Sequence, residues 1–459
     1  MKTLSDSLRL FYSGKSYPVA VALLVLLGHV LGAEVLFGAL LLALIVPACL
    51  VCHDFRFGIA PFLYVIFIVS AKGYSPNDTG YADRFLNPIS LAGLVAIFVI
   101  LIFSLTYFAV RNRKIVNKIP RGGMLLSLLI LCGAFLFNGL INPKYDPKNL
   151  LYVIIFAATL LVVYLLFALY FRFDRGSTDY LMYCLVVAGL LIAAELLLGF
   201  FTHIEINESG IVKETVVLGW GVWTNIGGML AFLMPSCFYF AATSRRGLIG
   251  YLLGFFFFFC ILLSQSRGAL LVGGVVLLIC LVALCVKGDY RKRNRVLTAT
   301  VALCGVAVCV LFMDQILAIV NNFLEYGFAD NGRFEKWQAG WNHFLDYPVF
   351  GSGFYDSYID EAWDMPLYPY LYHNTVIQLL GATGIVGTLA YAYHRFCTVR
   401  AVFRRPNTEK TYLGICILAL LLFSLTDVLL FKTYPTIYYS LMLLFMDKSQ
   451  TENTIPMVE

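Results

Sequence analysis

The chain has 459 residues, 60% of them hydrophobic and only 13% charged, with a formal net charge of +6. An ordinary soluble domain carries about a quarter of its residues as charges, so that class is excluded. The apolar runs are also too long and too uniform for the alternation of a transmembrane barrel, which leaves an all-α polytopic membrane protein.

Apolar runs near the ~20 residues that cross a bilayer as helix recur at 17–32, 34–51, 58–71, 89–110, 123–141, 150–171, 181–201, 219–243, 248–264, 268–286, 296–313, 373–394, 411–430 and 434–446. They predict about 12–14 transmembrane helices and divide the chain into three parts. Residues 1–313 hold the first membrane helices, 314–372 form a loop subdomain, and 373–459 hold the last helices and a short tail. The first run lacks a small-residue cleavage site and a second follows at once, so no cleavable signal peptide is expected.

Nineteen of the 33 basic residues lie in the connections 111–121, 172–180, 244–247, 287–295 and 394–410. These loops share one side if fourteen helices are counted from an inside N-terminus, and the positive-inside rule then puts them in the cytoplasm. The net charge is therefore a topology signal, and no nucleic-acid partner is expected. Connections 72–88, 142–149, 202–218, 264–267 and the acidic 314–372 fall outside. The twelve cysteines lie almost entirely in apolar segments, none in 314–372. They read as core hydrophobes, with no metal or other cofactor implied.

The first residue with chemical promise is Arg267, in the polar break Leu263-Ser264-Gln265-Ser266-Arg267-Gly268. An arginine at an outer helix end can snorkel to water. It can also clamp an anion, with Gln265 and Ser266 adding donors beside it. The second is Arg333. Asn331-Gly332-Arg333 reads as a helix start, and Phe334, Trp337, Trp341 and Phe344 follow at helical spacing. Pro348 and Gly351-Ser352-Gly353 end that helix, whose aromatic stripe suits a membrane interface. A cation in a first helical turn opposes the dipole unless an anion binds there. The alternative is a solvated Arg333 paired with Glu335 or Asp330.

His373 follows the tyrosine-rich end of the loop and is read as opening the next apolar helix at the outer interface, beside Asn374. There it can serve as a general base or simply prop the loop. Downstream, Gly381-Ala382-Thr383-Gly384-Ile385-Val386-Gly387 is read as a helix face that admits a neighbouring helix. Glu34, Glu195 and Asp427 are scattered acids within the predicted spans. The loop acids Asp356, Asp360, Glu361 and Asp364 read as solvated.

Ser266-Arg267-Gly268-Ala269, the late outer loop with Arg333, Trp337 and Pro348 to Gly353, and His373-Asn374 followed by the glycine run together resemble the bacterial O-antigen ligase and polymerase superfamily. Trp223-Thr224-Asn225 and Pro235 resemble its upstream helix. The resemblance covers about 220 to 395 and implies a membrane glycosyltransferase of the bacterial cytoplasmic membrane, active in cell-surface polysaccharide biosynthesis. It implies a glycan donor on undecaprenyl diphosphate and a glycan, lipid or protein acceptor, with inversion and no metal. Arg267 and Arg333 would hold the diphosphate, His373 would act on the acceptor hydroxyl, and Ser266, Gln265, Asn374 and Trp337 would support them. The competing class is a non-enzymatic transporter or flippase of lipid-linked oligosaccharide. That class predicts a charged central cavity and two similar halves, and neither is evident in the sequence.

Overall fold

A computed structural model describes residues 4–71, 87–119, 122–174, 176–208, 210–311, 313, 332–355 and 371–448. In chain order the helices are α1 (Leu4–Ser13), α2 (Ser16–Leu31), α3 (Glu34–Val51), α4 (Ile59–Tyr64), α5 (Pro88–Arg111), α6 (Gly123–Phe135) and α7 (Lys148–Tyr170). There follow α8 (Ser177–Thr202), α9 (Trp223–Thr243), α10 (Gly247–Leu263), α11 (Arg267–Val286), α12 (Arg291–Leu311), α13 (Arg333–Asp346), α14 (Thr375–Phe403), α15 (Thr408–Phe423) and α16 (Thr433–Lys448). The described strands are one hairpin, Ile206–Asn207 with Gly210–Ile211. The fold is all-α, as the uniform apolar runs require.

Each of the fourteen apolar runs contains helix among the described residues. Among the described residues, however, seven helices are long and apolar enough to cross a membrane alone, or eight if α1 and α2, bent by 73°, form one span. The others are short or broken for local reasons. The run 123–141 stops being helix at Phe135, and beyond it Gly139 takes φ +65° and its N–H bonds the Phe350 carbonyl after α13 at 2.9 Å. In 58–71 a short α-helix is flanked by 3₁₀ turns. The basic connection 394–410 is helix as far as Phe403, so His394 and Arg395 lie inside α14 rather than in a loop.

Loops expected to share a side contact one another. Arg293 holds the carbonyls of Ser244 and Arg245, and Thr178 donates to Glu409. Asn142 donates to the Ser352 carbonyl and Asn149 to that of Tyr355.

The glycine run in α14 is not a continuous helix. Gly384 sits at φ 60°, ψ −159°, a conformation open essentially to glycine alone. The break frees backbone groups that the segment after α13 then satisfies. Ser352 and Gly353 donate to the carbonyls of Gly381 and Ala382, and Ile385 and Val386 donate to those of Pro348 and Val349, all within 2.8–3.2 Å. A loop strand therefore docks at this break, while Gly340 of α13 meets Gly381 close by. We expect Gly384→Ala to destabilise the fold by about 1–3 kcal/mol, read as a lowered Tm in detergent. Gly274→Ala, in open surroundings on α11, should leave Tm nearly unchanged.

Two further expectations are refined. Glu34 and Glu195 are not scattered, since both lie near His29. Glu34 accepts from the Ser70 N–H, and Glu195 accepts from Trp220 Nε1 at 2.7 Å. Asp427 lies beyond the end of α15, outside the helix. Most cysteines are buried, as core residues should be. One pattern escapes the sequence reading: Cys49-Leu50-Val51-Cys52-His53 has the spacing of a haem attachment site. Both thiols are buried in the core beside α2, and the His53 ring is tied to Asn112 at 2.9 Å, so local packing accounts for all three. The acids 356, 360, 361 and 364 lie outside the described residues, as do Asp330 and Asn331.

Candidate active site

Four helices begin around one site. The turn after α15 joins them: the Thr375 N–H bonds the Ser424 carbonyl, and Gly268 of α11 packs on Thr426. Thr224 of α9 bonds Asp427, and Lys336 of α13 reaches His373 just before α14. Each helix N-terminus carries roughly half a positive charge in unsatisfied N–H groups. Gathered at one place, they make a site for an anion.

His373 does not open α14. The cap is Asn374, whose Oδ1 accepts from the N–H groups of Val376 and Ile377, and the helix starts at Thr375. His373 precedes the cap at φ 53°, a left-handed conformation uncommon for a side chain of its size. That turn aims the ring at two partners. Nδ1 lies 3.3 Å from Asp427 Oδ1 and Nε2 lies 3.2 Å from Lys336 Nζ. Lys336 and Asp427 together select the tautomer: Nδ1–H donates to the carboxylate, and Nε2 accepts from the ammonium.

Asp427 is only 4% exposed. Burial pushes its carboxyl up, but the Lys432 ammonium and His373 outweigh that and hold it well below the usual carboxylate range. Lys432 Nζ stands 4.0 Å from Asp427 Oδ2 and also bonds Asn225 of α9. The motif Trp223-Thr224-Asn225 thereby acquires a physical role, since its first turn braces the Asp427–Lys432 pair. Because the folded-state value lies below the free value of roughly 3.9, Asp427's contribution to stability is complete above that range. It is lost only as pH falls through the lower folded value.

The two arginines occupy equivalent places. Arg267 is the first residue of α11, after Ser266, and Arg333 is the first residue of α13, after Gly332 at φ 74°. Both act on one residue, Lys213 of the 202–218 connection. Burial lowers the Lys213 ammonium first and Arg267 next, with Arg333 adding to the effect against Glu214. Lys336 is likewise lowered by burial and by Arg333, against Asp427. Arg267 and Arg333 thus both act on Lys213, Arg333 also acts on Lys336, and no ion pair of Arg333 with Glu335 forms among the described residues.

The supporting residues have more local tasks. Ser266 Oγ caps α11 by accepting from the Ala269 N–H, and Gln265 donates to the Leu262 carbonyl from φ 57°. Asn374 caps α14 and donates to the Leu425 carbonyl. Trp337 is the exception, since its Nε1 is buried with no hydrogen-bond partner among the described residues. On α13 the face bearing Lys336, Gly340 and His343 meets α14 and Tyr372. The aromatic face stays uncovered, with Phe334 62% and Trp341 43% exposed.

This geometry sits within a recognisable segment. Residues 230–392 match the family model described as O-antigen ligase. The matched segment, 163 of the 459 residues, supports the resemblance to the O-antigen ligase and polymerase superfamily. No curated protein matches the chain. The O-antigen ligase segment runs from α9 into α14 and contains Arg267, Arg333 and His373, and it ties this multi-pass membrane protein to O-antigen ligase-like glycan transfer. Asp427, Lys432 and Lys213 lie outside it. Sequence reasoning missed Lys432, Lys213 and Lys336, and took Asp427 for a scattered intramembrane acid. For Lys336 a signal was available, because it stands three residues after Arg333 on the same side of an evident helix.

Proposed function

We propose that this site transfers a glycan from undecaprenyl diphosphate to an acceptor hydroxyl in one inverting displacement at the anomeric carbon. The observation that carries the reading is His373, held by a buried Asp427 where four helices begin, with Lys336 at its Nε2 and Arg333 acting on Lys336. An acceptor hydroxyl takes the place of Lys336 at Nε2 and gives up its proton there as its oxygen bonds the anomeric carbon. The bond from that carbon to the phosphate oxygen breaks, and its electron pair leaves on the diphosphate. Arg267, Arg333 and Lys213 hold that charge, while the displaced Lys336 is free to join them. Diphosphate is a competent leaving group, so positioning, a base and charge stabilisation suffice without a metal. Asp427 stabilises the imidazolium that results.

Asp427→Asn tests this arrangement. The variant should keep donor affinity but lose the ionised partner of Nδ1–H, lowering turnover by about 10²-fold or more. Unchanged turnover would make Asp427 a partner of Lys432 alone.

The same reading puts the site and the loop subdomain 314–372 on the extracytoplasmic face of the cytoplasmic membrane, with the exposed aromatic face of α13 dipping into the interface. A cysteine placed at position 340 would be masked by packing against α14, so exposed Gln338 is the better probe. In intact cells Gln338→Cys should react with a membrane-impermeant thiol reagent and Lys292→Cys should not, in a background lacking native cysteines. The reverse pattern would invert the topology.

A further inference from the structure

Arg395 lies on α14 beyond the Gly384 break, within the membrane domain, and its guanidinium is unlike any other in the described chain. Nε and both terminal nitrogens are buried with no well-formed hydrogen bond among the described residues, the Tyr439 hydroxyl being only a weak partner. The head rests on two tyrosine rings, with its central carbon 4.6 Å from the centroid of Tyr391 and 4.9 Å from that of Tyr439. No carboxylate pairs with it among the described residues.

The nearest polar groups are committed to one another. Ser127 donates to the Met124 carbonyl at 2.7 Å and so accepts from His394 Nδ1 at 2.8 Å. His394 Nε2, left as an acceptor, takes the proton of the Tyr439 hydroxyl at 2.7 Å. This relay spends its donors internally and supplies no negative charge.

The guanidinium lines a cavity beneath the active-site turn, together with Leu131, Phe135, Phe156, Leu160 and Phe431. Leu160 comes from a π-helical stretch, Ala158–Val162, that widens α7 there, a feature that recurs at functional sites. The room for the centre of a water-sized sphere is about 10 Å³, enough for one small occupant. A buried cation stacked on aromatic faces gains from the rings, but its desolvation is offset fully only by an opposite charge. A water molecule would satisfy donors without neutralising anything, and a phosphate ester exceeds the space.

We propose that this cavity binds one small inorganic anion of the chloride class, which neutralises Arg395 and braces the junction of α6, α7, α14 and α16 under the active site. The test uses the full-length protein in detergent, unfolded thermally in sodium chloride or sodium gluconate at equal ionic strength. Chloride should raise Tm saturably by about 2–4 °C, and bromide should substitute for it. An identical Tm in all three salts overturns the proposal. Arg395→Met should abolish the halide response, and a retained response would place the anion elsewhere and overturn it. Should that variant fail to fold, wild-type crystals soaked in bromide decide. An anomalous peak between Arg395 and Phe431 supports the site, and its absence at full bromide exchange overturns it.

Discussion

His373→Ala is expected to lose glycan transfer by about 10²–10⁴-fold, the usual contribution of a positioned general base, while binding the lipid-linked donor as tightly as the native protein. The separation follows from where the ring sits. Its Nδ1 is turned toward Asp427 and its Nε2 toward Lys336, whereas the cations assigned to the diphosphate are Arg267, Arg333 and Lys213. Alanine at φ 53° also introduces backbone strain, so His373→Asn is the necessary companion, because asparagine tolerates the left-handed region. If both variants bind donor and fail to transfer, the imidazole is the base. Lost donor binding in both would assign the ring to the diphosphate, and near-normal transfer in His373→Asn would reduce it to a prop for the turn.

Arg267→Ala and Arg333→Ala are each expected to weaken donor binding by about 1.5–3 kcal/mol, the worth of a hydrogen bond to a charged group, or roughly tenfold to more than a hundredfold in Kd. The two effects should not add, because both residues act on Lys213. Lysine at either position should recover only part of the loss, since an ammonium cannot reproduce the paired contacts of a planar guanidinium. Titration of labelled donor into protein held in nanodiscs reads both quantities. Native affinity in Arg333→Ala would make that residue a solvated surface group and leave the clamp to Arg267 and Lys213.

The membrane helices were legible because each needs only a long apolar run, a property local to the segment. Helix α13 was legible for a similar reason: glycine before it, aromatics at helical spacing within it, and a Pro-Gly segment after it are all near neighbours in the chain. The candidate arginines and histidine could be singled out from the sequence, but not what organises them. Lys432 and Asn225 are 207 residues apart, and His373 and Asp427 are 54 apart. No periodicity or propensity records such pairings. Asp427 looked like an intramembrane acid because the apolar run carries on past the point where the helix stops. The start of α14 was misplaced by two residues although Asn374 is a strong capping residue. The glycine run was assigned to helix packing because its partner, the Pro348–Gly353 backbone, could be recognised only once Gly384 was seen to leave the helix.

The most direct test of the account is to reconstitute the purified protein alone with one synthetic undecaprenyl-diphosphate-linked repeat unit, offered with and without candidate acceptors, and to follow both the glycan and the lipid. The account predicts a transferred or lengthened glycan, release of free undecaprenyl diphosphate, and an anomeric configuration at the new linkage opposite to that of the donor. The donor reaching the opposite leaflet of the vesicle with its glycan still attached, and no new glycosidic bond formed with any acceptor, would contradict it.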